Sequence, residues 1–340
     1  MTYQEVLKNA KQSIGPYCKV CPECNGVACK GVIPGPGGKG TGLGFIRNYQ
    51  ELKKIRLRMD TVYDPTGVST KAVLFGKEFA LPVFAAPIGA VAIHYSDAYN
   101  DLTYSAAVLD GCRQAGSAAF TGDGIKKEVY EGTIEVVKKL GGCGVPTIKP
   151  WSLSEVIIKA KMAEDAGAFA FAMDIDAAGL TILAAQGKSV SPMPVDALRK
   201  IVESVHIPFI LKGVMTAAGA KKALEAGAKG IVVSNHGGRV LDETPSTIEV
   251  LPEIVTAVGG KLTILIDGGF RTGLDVFKAL ALGADGVLIG RPFSYAVYGA
   301  AAEGAKLYLD KVRAELAEAM LMTGAATLAD IDAKKVDVRA

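Results

Sequence analysis

The stretch LTILIDGGFRTGLDVFKALALGADGVLIGRPF, residues 262–293, decides the fold of this chain. It opens with a β-rich apolar run ending in Asp267-Gly268-Gly269, passes through an amphipathic helical pattern, and closes on a second apolar run, GVLIG (286–290). That alternation is what two parallel strands joined by a crossover helix require. Six further runs with turn residues at their ends precede it: PVFAAP (82–87), SAAFT (117–121), VPTI (145–148), FAFAMD (169–174), PFILKG (208–213) and GIVVSN (230–235). Eight β/α repeats over about 220 residues predict an α/β fold, a (β/α)8 TIM barrel, with an open doubly wound sheet as the alternative. The expected layout is a helical, Cys- and Gly-rich cap segment over 1–80, the barrel over 81–323 and a polar tail over 324–340.

A chain of 340 residues suits one such barrel with extensions. Lys plus Arg number 38 against 35 Asp plus Glu, a net +3 without a basic run, which argues against nucleic acid as a partner. With 49% apolar and 21% charged residues the chain can bury a large core. Its 40 glycines fall singly at segment ends, as turn and phosphate-loop positions do. No apolar stretch reaches the roughly 18 residues of a membrane span, and the opening MTYQEVLKNAKQ lacks a signal-peptide core, so no membrane partner and a cytoplasmic location are expected. Four of the six cysteines lie between Cys18 and Cys29, which is no disulfide framework and fits a reducing compartment.

In a barrel the C-terminal strand ends share one face, so the polar residues that follow each run converge on one site. These are Asp174, Lys212, the loop from Ser234 to Arg239, the loop from Asp267 to Arg271, and Gly290-Arg291. The last two groups follow the final strands, the usual place of a barrel phosphate site, where Gly268, Gly269 and Gly290 admit backbone N–H groups and Arg271 and Arg291 add charge; tight βα turns are the plain alternative. His236, between Asn235 and two glycines, is placed as a general base, although a helix-capping or core histidine would read the same. Asp174 could orient it, or merely cap a helix. Lys212 closes an apolar strand and needs an anion or a developing negative charge opposite it, unless it is a structural ion pair. Arg239 can fix a substrate carboxylate beside the base, or be a solvated loop arginine. His94 and His206 are expected to be structural. The segment Ile175–Met193 is long for a βα loop and reads as a site cover, as does the N-terminal segment.

These same residues carry a resemblance. SNHGGRVLD (234–242) followed by IDGGFRTGLDVFKALALGADGVLIGRPF (266–293) resembles the FMN-dependent α-hydroxy-acid oxidase/dehydrogenase family, whose members include glycolate and lactate oxidases. The likeness is densest from Lys212 to Pro292 and thins toward GGKGTG (37–42) and RNYQELKKIRLR (47–58). It implies FMN as cofactor and a 2-hydroxy acid as the small-molecule substrate, oxidised to the 2-oxo acid. It implies His236 as the base with Asp174 as its partner, Lys212 beside the flavin N1–C2 edge, and Arg239 on the substrate carboxylate. Ser234, Asp267, Gly268, Gly269, Arg271, Gly290 and Arg291 would hold the cofactor's chain and phosphate, and backbone at Ala85, Ala86 and Pro87 would line its ring. A homo-oligomer, tetramer or octamer, is implied by the same analogy.

Three positions depart from the family's pattern. The N-terminal segment has no evident substrate-binding tyrosine, strand three continues as Thr147-Ile148-Lys149-Pro150-Trp151 in place of Gln-x-Tyr, and Asp174-Ile175-Asp176-Ala177 lacks a second carboxylate-binding arginine. Lys149 could replace the lost cation at the substrate or contact the flavin. The spacing Cys18-x2-Cys21-x2-Cys24-x4-Cys29 is close to a ferredoxin run and also suits tetrahedral zinc, so an iron–sulfur cluster, zinc or no metal all stand open. Three alternatives to hydroxy-acid oxidation remain: an FMN-dependent isomerase of the type 2 isopentenyl-diphosphate kind, a flavin-free aldolase using Lys212 as a Schiff base, and a cluster-bearing sensor module.

Overall fold

The computed structural model describes residues 1–64, 67–180, 183, 187, 188 and 190–338. Three short strands precede the barrel, β1 (Ile55–Leu57), β2 (Ala72–Leu74) and β3 (Lys77–Phe79). The barrel strands are β4 (Val83–Ala85), β5 (Phe120–Thr121), β6 (Val145–Ile148), β7 (Phe171–Asp174), β8 (Phe209–Val214), β9 (Gly230–Val233), β10 (Thr263–Ile266) and β11 (Gly286–Ile289). Seven lie within the runs marked in the sequence, and β8 extends one residue past its run, to Val214. They form one parallel sheet in the order β4-β11-β10-β9-β8-β7-β6-β5, and a parallel bridge between Ala85 and Ala119 closes it into a barrel. The doubly wound alternative is thereby removed.

The closure follows from what each strand can bury. Side chains alternate between two faces along a strand, and here both faces are apolar, as a sheet covered by helices demands. Phe84, Phe120, Val145, Ala172, Ile210, Val232, Leu265 and Leu288 point inward and pack as one cluster. Their neighbours, among them Phe171, Phe209, Ile231, Ile266 and Ile289, point outward into the helical layer. The β2–β3 hairpin seals the lower end of this inner cluster with Leu74 and Phe79, the Phe79 ring meeting Phe84 edge-on at 4.9 Å.

Helices α1 (Tyr3–Ser13) and α2 (Leu43–Lys54) belong to the N-terminal segment, and a single turn α3 (Val91–His94) follows the first barrel strand. The outer ring comprises α4 (Asp101–Gln114), α5 (Lys127–Lys139), α6 (Leu153–Asp165), α7 (Val195–Glu203), α8 (Ala217–Glu225), α9 (Thr247–Val258), α10 (Gly273–Ala281) and α11 (Arg291–Met322). Ser246 with Glu249, and Thr272 with Asp275, form capping boxes that start α9 and α10 directly after the loops of interest. Helix α11 bends at Ala300 and Ala301, whose backbone is not helical. The tail does not hang free: β12 (Val336–Val338) pairs antiparallel with β1. After β7 the chain forms a 3₁₀ turn, Ile175–Gly179, while 181, 182, 184–186 and 189 of the expected cover segment lie outside the described residues. No helix among the described residues is long and apolar enough to cross a membrane.

Candidate active site

Two residues beyond each inner apolar position the strand returns to the same face, and there the chemistry changes. Ala172 is followed by Asp174, Ile210 by Lys212, Val232 by Ser234, Leu265 by Asp267 and Leu288 by Gly290. One polar layer therefore sits on top of the apolar plug. Above it opens a cavity of about 920 Å³ that Asp174, Lys212, His236, Arg239, Asp267 and Arg291 all line. That volume suits a cofactor together with a small substrate.

Lys212 and Asp174 face each other in register on adjacent strands, Nζ 2.9 Å from Oδ1, with Asp267 Oδ2 3.7 Å from the same Nζ. Burial pushes the Lys212 ammonium down, but the carboxylates of Asp174, Asp176 and Asp267 outweigh it and hold the amine firmly protonated. Burial likewise pushes Asp174 up, and Lys212, His236 and Lys149 together bring it well below the usual carboxylate range. For Asp267 the balance goes the other way, burial raising its carboxyl despite Lys212. Lys149 Nζ reaches Asp174 Oδ2 at 3.5 Å, and its backbone N–H donates to Asp123, whose carboxylate also takes the indole N–H of Trp151 at 2.6 Å.

His236 sits in the left-handed region, φ 57°, followed by Gly237 and Gly238 at φ 63° and 78°. A non-glycine residue there is strained and must be held. Its N–H donates to Ser234 Oγ, which in turn donates to Asp267 Oδ2 at 2.9 Å. Asn235 clamps the same loop to α2 through a reciprocal amide pair with Asn48, both bonds within 3.1 Å. The imidazole is thereby aimed so that Nδ1 meets Asp176 Oδ1 at 3.0 Å. Gly213, φ 99°, makes room for this: a Cβ there would lie 2.6 Å from the Asp176 side chain. Asp174, Asp176 and His236 offer ligand atoms within 4.8 Å of one another, but the Lys212 and Lys149 ammonium groups beside Asp174 set like charge against a cation.

Three arginines converge on the opposite part of the cavity. Arg239 donates to Gly35 O and Gly37 O at 2.8 Å, Arg291 to Pro36 O, Gly37 O and Gly237 O, and Arg271 to Cys24 O through Nε and Nη2. Among the described residues none of the three pairs with a carboxylate. Burial and then Arg291 push the Arg239 guanidinium down to about 10, which leaves it charged at neutral pH. His94 lies against it: Gly35 N–H donates to His94 Nδ1 at 3.1 Å, and His94 Nε2 is 3.3 Å from Arg239 Nη2. Burial, reinforced by Arg239, pushes the His94 imidazole down to about 4.

Most expected residues meet at this cavity, with four differences. The hydrogen-bonded partner of His236 is Asp176; Asp174 lies 3.7 Å from Nδ1 and is engaged by the two lysines. Ala85 does not line the cavity, because strand alternation turns it into the outer core; its place is taken by the residues from Ala86 to Gly89. Ser234 is fully buried behind Asp267 and acts on the loop. His94, expected to be structural, lines the cavity, whereas His206 is exposed and its backbone N–H bonds Glu164.

The family described as FMN-dependent dehydrogenase matches residues 36–182 and 184–338. The chain belongs to this family. Within it, 4-hydroxymandelate oxidase of Amycolatopsis orientalis is 31% identical over 87% of this chain and 92% of its own length. Peroxisomal (S)-2-hydroxyacid oxidase GLO3 of Arabidopsis thaliana is 48% identical, but over 42% of this chain, and the match spans about two fifths (39%) of that relative's length. A solved structure of mandelate oxidase superposes with a TM-score of 0.81 at 26% identity, covering 99% of this chain and 98% of that one. FMN-dependent dehydrogenases need a site for a phosphate and a polyhydroxyl chain, and the residues present fit one. Among the described residues, Asp267 Oδ1 is buried without a hydrogen-bond partner, the N-cap Gly290 puts no side-chain cap over the first N–H groups of α11, and Arg271 and Arg291 pair with no carboxylate.

Proposed function

We propose that this chain binds FMN and oxidises a 2-hydroxy acid of the lactate or glycolate kind to the 2-oxo acid. The observation that carries the reading is that His236, with one ring nitrogen taken by Asp176, and Arg239, a buried cation without a carboxylate, line the same cavity three residues apart in sequence. Bound FMN supplies the two-electron acceptor. Arg271, Arg291 and the open start of α11 would hold its phosphate, Asp267 its hydroxyl chain, and the wall from Ala86 to Gly89 its ring. Lys212, held charged by its carboxylates, would supply a fixed positive charge to offset the negative charge that the flavin gains on reduction. Arg239 binds the substrate carboxylate, with Lys149 as a second cation in place of an arginine. His236 donates Nδ1–H to Asp176, which leaves Nε2 as the nitrogen that takes the substrate's proton, and Asp176 steadies the imidazolium that results.

The lysine geometry speaks against a Schiff-base aldolase, since that chemistry needs a neutral amine and Lys212 is clasped by Asp174. The decisive experiment mixes yellow, FMN-loaded protein anaerobically with a panel of 2-hydroxy acids. Bleaching of the flavin by one of them is the expected result. A colourless protein that takes up no FMN, or turnover of an isoprenoid diphosphate with no bleaching by any acid, replaces the reading. With it go the lesser parts of the same proposal: division into a cap of 1–80, a barrel of 81–323 and a tail of 324–340, a cytoplasmic location without nucleic-acid or membrane partners, and assembly as a tetramer or octamer, which size-exclusion chromatography checks. The net charge of +3 supports the first of those absences.

A further inference from the structure

The N-terminal cysteines play no part in the chemistry above, yet the fold gathers them. Cys18, Cys21, Cys24 and Cys29 line one small cavity, with Pro36, Arg291 and Tyr295 completing its wall. The loop that carries them has no regular helix or strand, and all four border the same space. Arg291 and Pro36 line both this cavity and the large one, so a single layer of residues separates the cysteines from the phosphate end of the active site. Arg271 ties the two together from the other side by donating twice to Cys24 O. Two guanidinium groups thus stand beside four potential thiolates.

The spacing of the ligands chooses the metal. Structural zinc sites join two ligand pairs on segments a dozen or more residues apart, whereas these four cysteines fall within one run, three of them at x2 spacing as in ferredoxins. We propose that Cys18, Cys21, Cys24 and Cys29 hold a four-iron, four-sulfur cluster against the phosphate end of the flavin site, and that this cluster is the way out for the electrons. The second half rests on the hydroxy-acid reading. Oxidation of the acid to the 2-oxo acid releases two electrons and two protons; the oxidised cluster accepts the electrons from the reduced flavin singly, in two passes. Each pass ends with one electron handed to a one-electron carrier protein, and the protons go to solvent.

The test uses the full chain purified without oxygen and loaded with FMN. About four iron and four acid-labile sulfide per chain are expected, with a paramagnetic signal on dithionite reduction. Cys21→Ser and Cys24→Ser should each lose most of the iron while keeping FMN, and Cys143→Ser should keep both. One zinc without sulfide, or FMN-loaded protein free of metal, overturns the cluster and leaves the hydroxy-acid reading intact. Iron and sulfide present with no acid bleaching the flavin sinks that reading and leaves the cluster. A bleached flavin beside a cluster that stays oxidised, when its potential permits reduction, overturns the electron route alone.

Discussion

His236 and its two neighbouring carboxylates can be separated by their different duties. His236→Ala should lower kcat about 10²- to 10⁴-fold with FMN still bound, measured by stopped-flow bleaching. Asp176→Asn should lower kcat at nearly unchanged stability. Asp174→Asn should instead cost about 3–5 kcal/mol in urea unfolding, because it takes from the buried Lys212 its hydrogen-bonded carboxylate and leaves only the more distant Asp267. Equal loss of stability in the two variants would contradict the assignment. His94 sets the acid limit. Its imidazole is held down to about 4 from a usual 6.5, so the unfolded chain binds the extra proton between those values and the native chain does not. Stability should therefore be fully present above pH 6.5 and fall by up to about 3 kcal/mol as pH drops toward 4, and His94→Gln should flatten that slope. The period of two along the strands makes Asp174, Lys212 and Asp267 legible in sequence. Asp176 escapes the same rule, since the direction of a side chain on a 3₁₀ turn is not fixed by strand alternation, although the Asp-Ile-Asp spacing hints at it. His94 is illegible because its contact with Arg239 spans 145 residues and no motif marks it.

At the scale of elements, the eight barrel strands were readable because each is a buried apolar run between turn signals. The β2–β3 hairpin and the β1–β12 pair were not, because IRL, KEF and VDV carry charged residues and AVL is only half buried, so none stands out as a buried apolar run, and the partners of the second pair lie far apart in the chain. Helix α2 has a role that its amphipathic pattern alone does not reveal. It presses on the loops that follow β9 and β10: a Cβ at Gly269, φ 91°, would lie 2.2 Å from Asn48 O, and one at Gly238, φ 78°, 2.3 Å from Phe45 N. Gly269→Ala should therefore push α2 outward and destabilise by more than about 1 kcal/mol, with weaker FMN retention on dialysis. A variant as stable and as yellow as the parent would show that α2 does not set the cofactor loop.

For the whole molecule, the three arginines without carboxylates mean that the folded chain carries concentrated positive charge in its upper cavity even though its net charge is only +3. An anion that fills the site should stabilise the fold. At a hundredfold excess over its Kd, FMN should add about 2.7 kcal/mol and raise Tm by several degrees. Riboflavin, without the phosphate, should add much less at the same concentration. The barrel's closure bears on this as well. Among the described residues, the β4 and β5 staves share no regular ladder: they are joined by the Ala85–Ala119 bridge, one longer bond from Ala85 N–H to Ala118 O at 3.3 Å, and Ser117 Oγ donating to Val83 O. The cavity wall from Ala86 to Gly89, proposed above to hold the flavin ring, leaves directly from that joint. Amide protons of these two staves should thus exchange with solvent sooner than those of their neighbours on the far side, and a flat ligand resting on them would slow that exchange by bracing a hoop at its join.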